Sequence, residues 1–285
     1  MRIAPWCALL LALLPGAARA LPVYAAGDIG ECGADPRTSA AAATAALIPE
    51  GATVLVLGDS VYPRADRATL ERCYGATWGG RHARAWAVPG NHVYIAGSAA
   101  AFLEYFGSPR SGPTWFRAEL DGWWLFGLDS NLRGAPLAAQ DAWLAREIAA
   151  IAGDGHCIAA IWHHAFVSTG FHQGDGAPMR HAWSALARAG ADLVLSGHEH
   201  FYEAFAPRDA HGNRARYGIT EFVVGTGGAR LADWSLEPWA HRAYARQHGV
   251  LALDLEPDRF RWRFIAVGGA VLDHGATACH RIHWR

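Results

Sequence analysis

Five short fragments occur in order along this 285-residue chain: Gly27-Asp28, Gly58-Asp59-Ser60-Val61-Tyr62, Gly90-Asn91-His92, Trp162-His163-His164 and Gly197-His198-Glu199-His200. Each ends or follows an apolar run rich in Val, Leu, Ile or Ala. The order delivers Asp, Asp, Tyr, Asn, His, His and His to the ends of successive buried strands. Carboxylate, phenolate, amide oxygen and imidazole are donors that hold hard-to-borderline metal ions side by side.

The elements that must position them are legible as hydrophobic runs. Strands are predicted at 23–26, 54–57, 85–88, 123–128, 158–162, 193–195, 222–224, 251–255 and 261–267. Several are almost continuously apolar, the pattern of strands covered on both faces. The last two alternate more, as antiparallel edge hairpins do. Helices rich in Ala, Leu and Arg are predicted at 38–47, 66–78, 99–106, 138–151 and 178–189. Strand–helix alternation implies an α/β layered fold. The later strands lack intervening helices, so the sheet is expected to be mixed. Segment 207–217 reads as a polar hairpin loop and 225–239 as a long irregular loop near the sheet ends.

Asp28 and Asp59 each sit one Gly past a strand end, where a tight turn aims the carboxylate back over the sheet. Open α/β sheets place ligands at that edge. A single Gly-Asp after a strand is common in turns; two of them followed by GNH and GHxH are not. His198 and His200 are one residue apart, so in an extended segment they point the same way and reach adjacent metals. His163 and His164 are adjacent and diverge. Asn91 offers a neutral oxygen. Tyr202, next to the GHEH run, is a candidate for the pocket wall, and one of Trp123 and Trp124 should be buried.

These fragments resemble the calcineurin-like metallophosphoesterase superfamily, most closely its purple acid phosphatase branch and small exported bacterial phosphatases of that type. Tyr62 in GDxxY marks the branch. The resemblance runs from Val23 to about Gly228 and implies a four-layer αββα sandwich of two mixed sheets flanked by helices. It implies a first metal held by Asp28, Tyr62, His200 and bridging Asp59, and a second held by Asp59, Asn91, His163 and His198. His163 is chosen because the family has His two residues before a Pro, a place Ala165 takes here. His92 and His172 are implied as substrate-facing groups. Val93 stands where the family usually carries Asp or Glu.

The implied function is an exported hydrolase that cleaves phosphate monoesters by attack of a metal-bound hydroxide, with His92 or His172 assisting the leaving oxygen. A phosphodiesterase or nucleotidase on the same site is the alternative, and a metal- or phosphate-binding protein without turnover is the other. Two Asp and one hydroxide cancel three charges of a divalent pair, leaving +1; the Tyr62 phenolate would cancel that. A trivalent partner restores it, so Fe(III) with divalent Fe, Zn or Mn is expected.

Composition agrees with an exported globular protein. Hydrophobic residues make up 52% of the chain and the formal net charge is −1, with no basic run, which argues against nucleic-acid binding through bulk charge. Met1–Ala20 reads as a secretory signal: a charged Arg2, an apolar stretch from Cys7 to Pro15 and Ala18-Arg19-Ala20 as the cleavage site. That stretch is too short to span a bilayer. The expected domain is then 21–285, periplasmic or secreted, with a small phosphate ester as its partner, no nucleic acid and no membrane after cleavage. Cleavage leaves Cys32, Cys73, Cys157 and Cys279, an even count that suggests two disulfides with three pairings. Cys32–Cys73 is favoured because both follow early strands near one face, which leaves Cys157–Cys279.

Overall fold

Among the residues described by the computed structural model (20–33, 35–95, 97–107, 113–232 and 243–280), the strands are β1 (Leu21–Ala26), β2 (Gly30–Glu31), β3 (Thr53–Val56), β4 (Val61–Tyr62), β5 (Ala85–Ala87), β6 (Phe116–Glu119), β7 (Trp123–Gly127), β8 (Cys157–His164), β9 (Leu193–Gly197), β10 (Tyr202–Ala204), β11 (Thr220–Val224), β12 (Ala243–Ala245), β13 (Gly249–Glu256), β14 (Arg259–Ala266) and β15 (Val271–Ala278). The expected signal, apart from Ala20, and residues 233–239 of the expected loop lie outside the described residues. One sheet runs β15-β14-β13-β1-β3-β5 and the other β12-β10-β11-β9-β8-β7-β6. Both are mixed: β1, β3 and β5 pair in parallel, as do β7, β8, β9 and β11, and the remaining pairings are antiparallel.

Side-chain parity builds the layers. In β8, Cys157, Ala159 and Ile161 pack into the core shared with the first sheet, while Ile158, Ala160 and Trp162 pack with helices Gly134–Ala150 and Arg180–Arg188. Successive strand residues face opposite sides, so a run apolar at every position needs a cover on each. Between the sheets, Tyr202 stacks on Phe264 with centroids 4.1 Å apart, and Trp123 Nε1 donates to the Glu256 carbonyl at 2.7 Å. Ala41, Ala45, Leu70 and Trp78, from helical segments 40–45 and 67–84, join the first sheet's core. The result is the four-layer αββα sandwich.

Three expectations change. Segment 66–78 is not one regular helix: Asp66 caps Arg67–Thr69, a wider π turn covers Leu70–Tyr74, an α turn follows at Gly75–Thr77, and 3-10 turns run from Trp78 to Arg84. Neither 251–255 nor 261–267 is an edge, because β13 lies between β1 and β14 and β14 between β13 and β15; the edges of this sheet are β5 and, on the side of these strands, β15. That strand carries Asp273, His274 and Gly275 and is half exposed, so it lacks an apolar run that pattern reading detects. Tyr202 is fully buried in the core, its hydroxyl donating to Asp273 at 2.6 Å, and lines no pocket.

Cys32 is bonded to Cys73 and Cys157 to Cys279, the expected pairing. The second bond spans a sequence separation of 122 residues, a closure worth about 4–5 kcal/mol in the chain-entropy account. Such bonds persist in oxidising compartments. No helix among the described residues is long and apolar enough to cross a membrane.

Candidate metal centre

The strand ends converge. β1, β3 and β5 deliver Asp28, Asp59 and the Asn91-His92 pair, and β8 and β9 deliver His163 and His198. Gly58 turns at φ 87°, and a Cβ there would lie 2.3 Å from His163 Nδ1, so only glycine lets β3 end against that ring. Asp28 and Asp59 themselves adopt φ 57° and 41°. Left-handed backbone at a non-glycine residue costs about 1–3 kcal/mol and concentrates at functional sites.

Asp59 lies at the centre. Its Oδ2 accepts from Tyr62 Oη at 3.2 Å on one side and stands 3.3 Å from His163 Nε2 on the other. Beyond Tyr62, the hydroxyl donates to Asp28 Oδ1 at 2.6 Å and meets His200 Nε2 at 3.0 Å, with His200 Nε2 3.3 Å from Asp28 Oδ1. Beyond His163, Nε2 meets Asn91 Oδ1 at 3.0 Å. The His163 and His198 ring centroids are 4.9 Å apart. All seven residues expected as ligands therefore share one cage, in two groups that meet at Asp59.

The second nitrogen of each histidine is already held. His163 Nδ1 meets the Leu57 carbonyl at 2.9 Å, His200 Nδ1 the Arg230 carbonyl at 2.7 Å, and His198 Nε2 the Asp175 carboxylate at 3.0 Å. This arrangement orients a metal-binding imidazole and sets its tautomer. The donor set and these outer partners fit two cations.

Without cations, protons balance the cage. Burial pushes Asp28 up, but the hydrogen bond and charge of His200, then the charge of His163, hold it well below the usual carboxylate range. Burial pushes His163 and His200 down; Asp59 for the first and Asp28 for the second overcome this and raise each to about 9. Tyr62 is raised well above its ordinary value by burial and by the Asp28 and Asp59 charges. His198 moves the other way, to about 4, through burial and the neighbouring His163.

His198 and His200 do not point the same way, as they would in an extended segment; they turn to different halves of the cage. His198 has φ 72°, and this turn separates the rings: His198 stands against His163, His164 and His172, and His200 against Tyr62. His164 does not diverge from the cluster as expected: its ring centroid lies 4.3 Å from that of His198 and 5.0 Å from that of His163, with a ligand nitrogen within 4.8 Å of theirs, while it bonds Ser130 Oγ through Nδ1 at 2.7 Å. Val93 is buried and supplies no carboxylate; the Pro63 carbonyl takes that orienting place, 2.6 Å from His92 Nδ1. His92 Nε2 is 4.0 Å from Asp59 Oδ2. The His172 ring lies 4.5 Å from that of His198, at an exposed position. Asp175, which touches both His172 and His198, went unnoticed in the sequence. Its only signal is an acidic residue three positions after His172.

An αββα sandwich with oxygen and imidazole donors at its joined strand ends defines the class of metal-dependent phosphoester hydrolases. Residues 21–202 match the family model for calcineurin-like phosphoesterase, and the chain belongs to that family of dinuclear metal-dependent enzymes. No curated protein sequence matches the chain. Among solved structures it is similar to GAP50, the anchor in the inner membrane complex of Plasmodium (TM-score 0.71, 14% identity, 92% of this chain and 90% of that one). It is similar to purple acid phosphatase PPD1 from yellow lupin (TM-score 0.71, 15% identity, 93% of this chain and 55% of that one). PhoD gives TM-score 0.59 at 13% identity, over 94% and 70% of the two chains. At these identities the likeness concerns the fold.

Proposed function

We propose that the chain is an exported phosphomonoesterase working through two metal ions. Asp28, Tyr62 and His200 would hold the first, Asn91, His163 and His198 the second, and Asp59 would serve both. The supporting observation is the place of Asp59 Oδ2, within 3.3 Å of donors from both groups. When bound, the two cations supply the positive charge that neutralises a phosphate ester and acidifies a water.

The chain's own residues do the rest. Asp28 Oδ2 accepts from the His198 backbone at 2.8 Å and Asp59 Oδ1 from the His92 backbone at 3.0 Å, so both carboxylates are anchored before substrate arrives. With His92 Nδ1 held by the Pro63 carbonyl, Nε2 is the atom that holds or delivers a proton to the leaving oxygen. His172 offers a second such nitrogen, since its Nδ1 faces Asp175 at 3.4 Å. The Met1–Ala20 leader and the two disulfides support a periplasmic or secreted location.

Purified protein is expected to bind two metals and to turn over p-nitrophenyl phosphate at least about tenfold faster, in kcat/KM, than bis-p-nitrophenyl phosphate, a gap of about 1.4 kcal/mol in barrier. The reverse preference would make it a phosphodiesterase. Two bound metals without turnover of either ester would make it a binding protein. The phenolate of Tyr62 and the charge balance favour an Fe(III) and divalent Fe, Zn or Mn pair. An iron-loaded sample is then expected to show a purple charge-transfer band that Tyr62→Phe removes; a band that survives the substitution refutes the Tyr62 assignment.

A further inference from the structure

Three buried glutamates stand under the loop that carries His172, and none is needed as a metal ligand. Glu221, on β11, accepts from the backbone nitrogens of Phe166 and Val167, each at 2.9 Å, and from Ser196 Oγ at 3.0 Å. Glu203, on β10, accepts from the Thr169 hydroxyl, from Thr169 N at 3.3 Å and from Ser168 Oγ at 3.3 Å. Glu199, between His198 and His200, accepts from Ser168 Oγ at 3.1 Å and from His172 N at 2.9 Å. All three side chains are inside the protein, at 0–2% exposure.

Burying a carboxylate is costly unless its oxygens are satisfied. Apart from Ser196 Oγ, the donors are backbone amides and hydroxyls of the seven-residue stretch 166–172, so satisfying the carboxylates fixes the path of the loop. The loop then turns outward: Gln173 N donates to the Gly170 carbonyl and Asp175 N to the His172 carbonyl. At the outer end Asp175 Oδ2 reaches both His198 Nε2 and His172 Nδ1. Gly170 passes so close over Glu199 that a Cβ would lie 2.1 Å from its Oε2.

We infer that Glu199, Glu203 and Glu221 form a buried clamp whose task is to position the 166–172 loop, and through it His172 and Asp175, against His198. They are positioning residues, enclosed beneath the loop and turned to its amides and hydroxyls. This inference rests on the reading of His172 as a substrate-facing group. It deepens that reading by making the geometry of His172 a property of three carboxylates below it, supplied by β10, β11 and the GHEH turn.

The test uses the whole chain with two metals bound. Glu203→Gln and Gly170→Ala each perturb the clamp, the first from below and the second from above. Each is expected to retain two metals per chain. Each is expected to lower kcat/KM for p-nitrophenyl phosphate by about 10–100-fold, the range for residues that orient a group at a metal site. His172→Ala added to either is expected to cost little more, since both then remove one contribution. Hydrogen exchange reads the clamp without any turnover: the Val167, Thr169 and His172 amides are expected to be slow in the wild type and faster in both variants. Losses that simply multiply with that of His172→Ala, or variants that lose a metal, overturn the inference. So do unchanged amide exchange rates. A wild-type chain that is inactive but shows the expected exchange pattern would sink the enzymatic reading and its His172 role, while leaving the clamp on the loop in place.

Discussion

Asp59→Asn is expected to abolish paired metal binding and to lower kcat/KM roughly a thousandfold or more, since the cations supply several kcal/mol of transition-state stabilisation. The substitution is nearly isosteric, so the loss comes from chemistry rather than packing. Asp59 Oδ1 accepts from the His92 backbone, and Oδ2 faces Tyr62 and His163. An amide has one acceptor oxygen and one donor nitrogen. Keeping the bond to His92 N turns the NH2 group into the cage, where it repels a cation and faces two other donors. Turning the amide round restores an oxygen to the cage but leaves the His92 nitrogen facing a donor. Either way one charge of the cage is gone. Metal analysis and p-nitrophenyl phosphate turnover on the same sample check this, with thermal melting as the control for folding. Two metals and full activity in the variant would refute the bridging role.

The metal-free protein is expected to lose stability as the pH rises from 6.5 to 9, whereas the metal-loaded protein is not. His163 and His200 titrate near 9 in the folded chain because Asp59 and Asp28 face them, against an ordinary value of 6.5. A raised folded value means that the folded state holds the proton more tightly. That stabilisation is complete below 6.5 and is lost as the pH climbs to 9. Just below this window the buried glutamates act in the same direction. Burial lifts Glu203 and Glu221 to about 7 from 4.5, so between those values the folded chain holds protons the unfolded chain has released. On the acid side the sign reverses. Asp28 is held below its ordinary 3.8, so its contribution is present above that value and lost as the pH falls further. His198 and His164, both held below their ordinary 6.5 by burial and by His163, oppose the glutamates, since their contribution is present above 6.5 and lost as the pH falls. Metal-free protein should therefore be most stable near pH 6.5. At a few kcal/mol in total and about 2–4 °C per kcal/mol for a chain of this size, its Tm should fall by roughly 10 °C toward pH 9. With metals bound, the histidines are already neutral ligands and this proton-linked loss is absent. Melting curves of chelator-treated and reloaded protein at pH 5, 6.5, 8 and 9 provide the comparison. A metal-free Tm that holds or rises above pH 6.5 would show that the two histidines carry no protons in the cage.

The two pH-sensitive systems have different origins. The histidine pairs arise from residues chosen for cations, and the protons stand in for those cations. The glutamates are satisfied by amides and hydroxyls, and they titrate high because they are dry. Loading metal removes the first effect and leaves the second.

Sequence alone located the candidate donors and the class of fold, and the choice of His163 over His164 came from the family resemblance. Strands covered on both faces must be apolar at nearly every position, and short polar fragments placed just after such runs must lie at one sheet edge. That is why Asp28, Asp59, Asn91, His163 and His198 were legible without coordinates, and why the layered architecture was as well. Tertiary structure alone decided how the cage is held. The Pro63 and Arg230 carbonyls that orient His92 and His200 are backbone atoms, which leave no trace in residue identity. Asp175 looks like any acid in a loop until the chain folds back to His198. Glu199, Glu203 and Glu221 look like surface acids until burial shows otherwise, and Tyr202 looked like a pocket residue until parity in β10 turned it into the core. Local pattern records whether a side chain is apolar; the partner that satisfies a buried polar group comes from distant chain, and only folding brings it within reach.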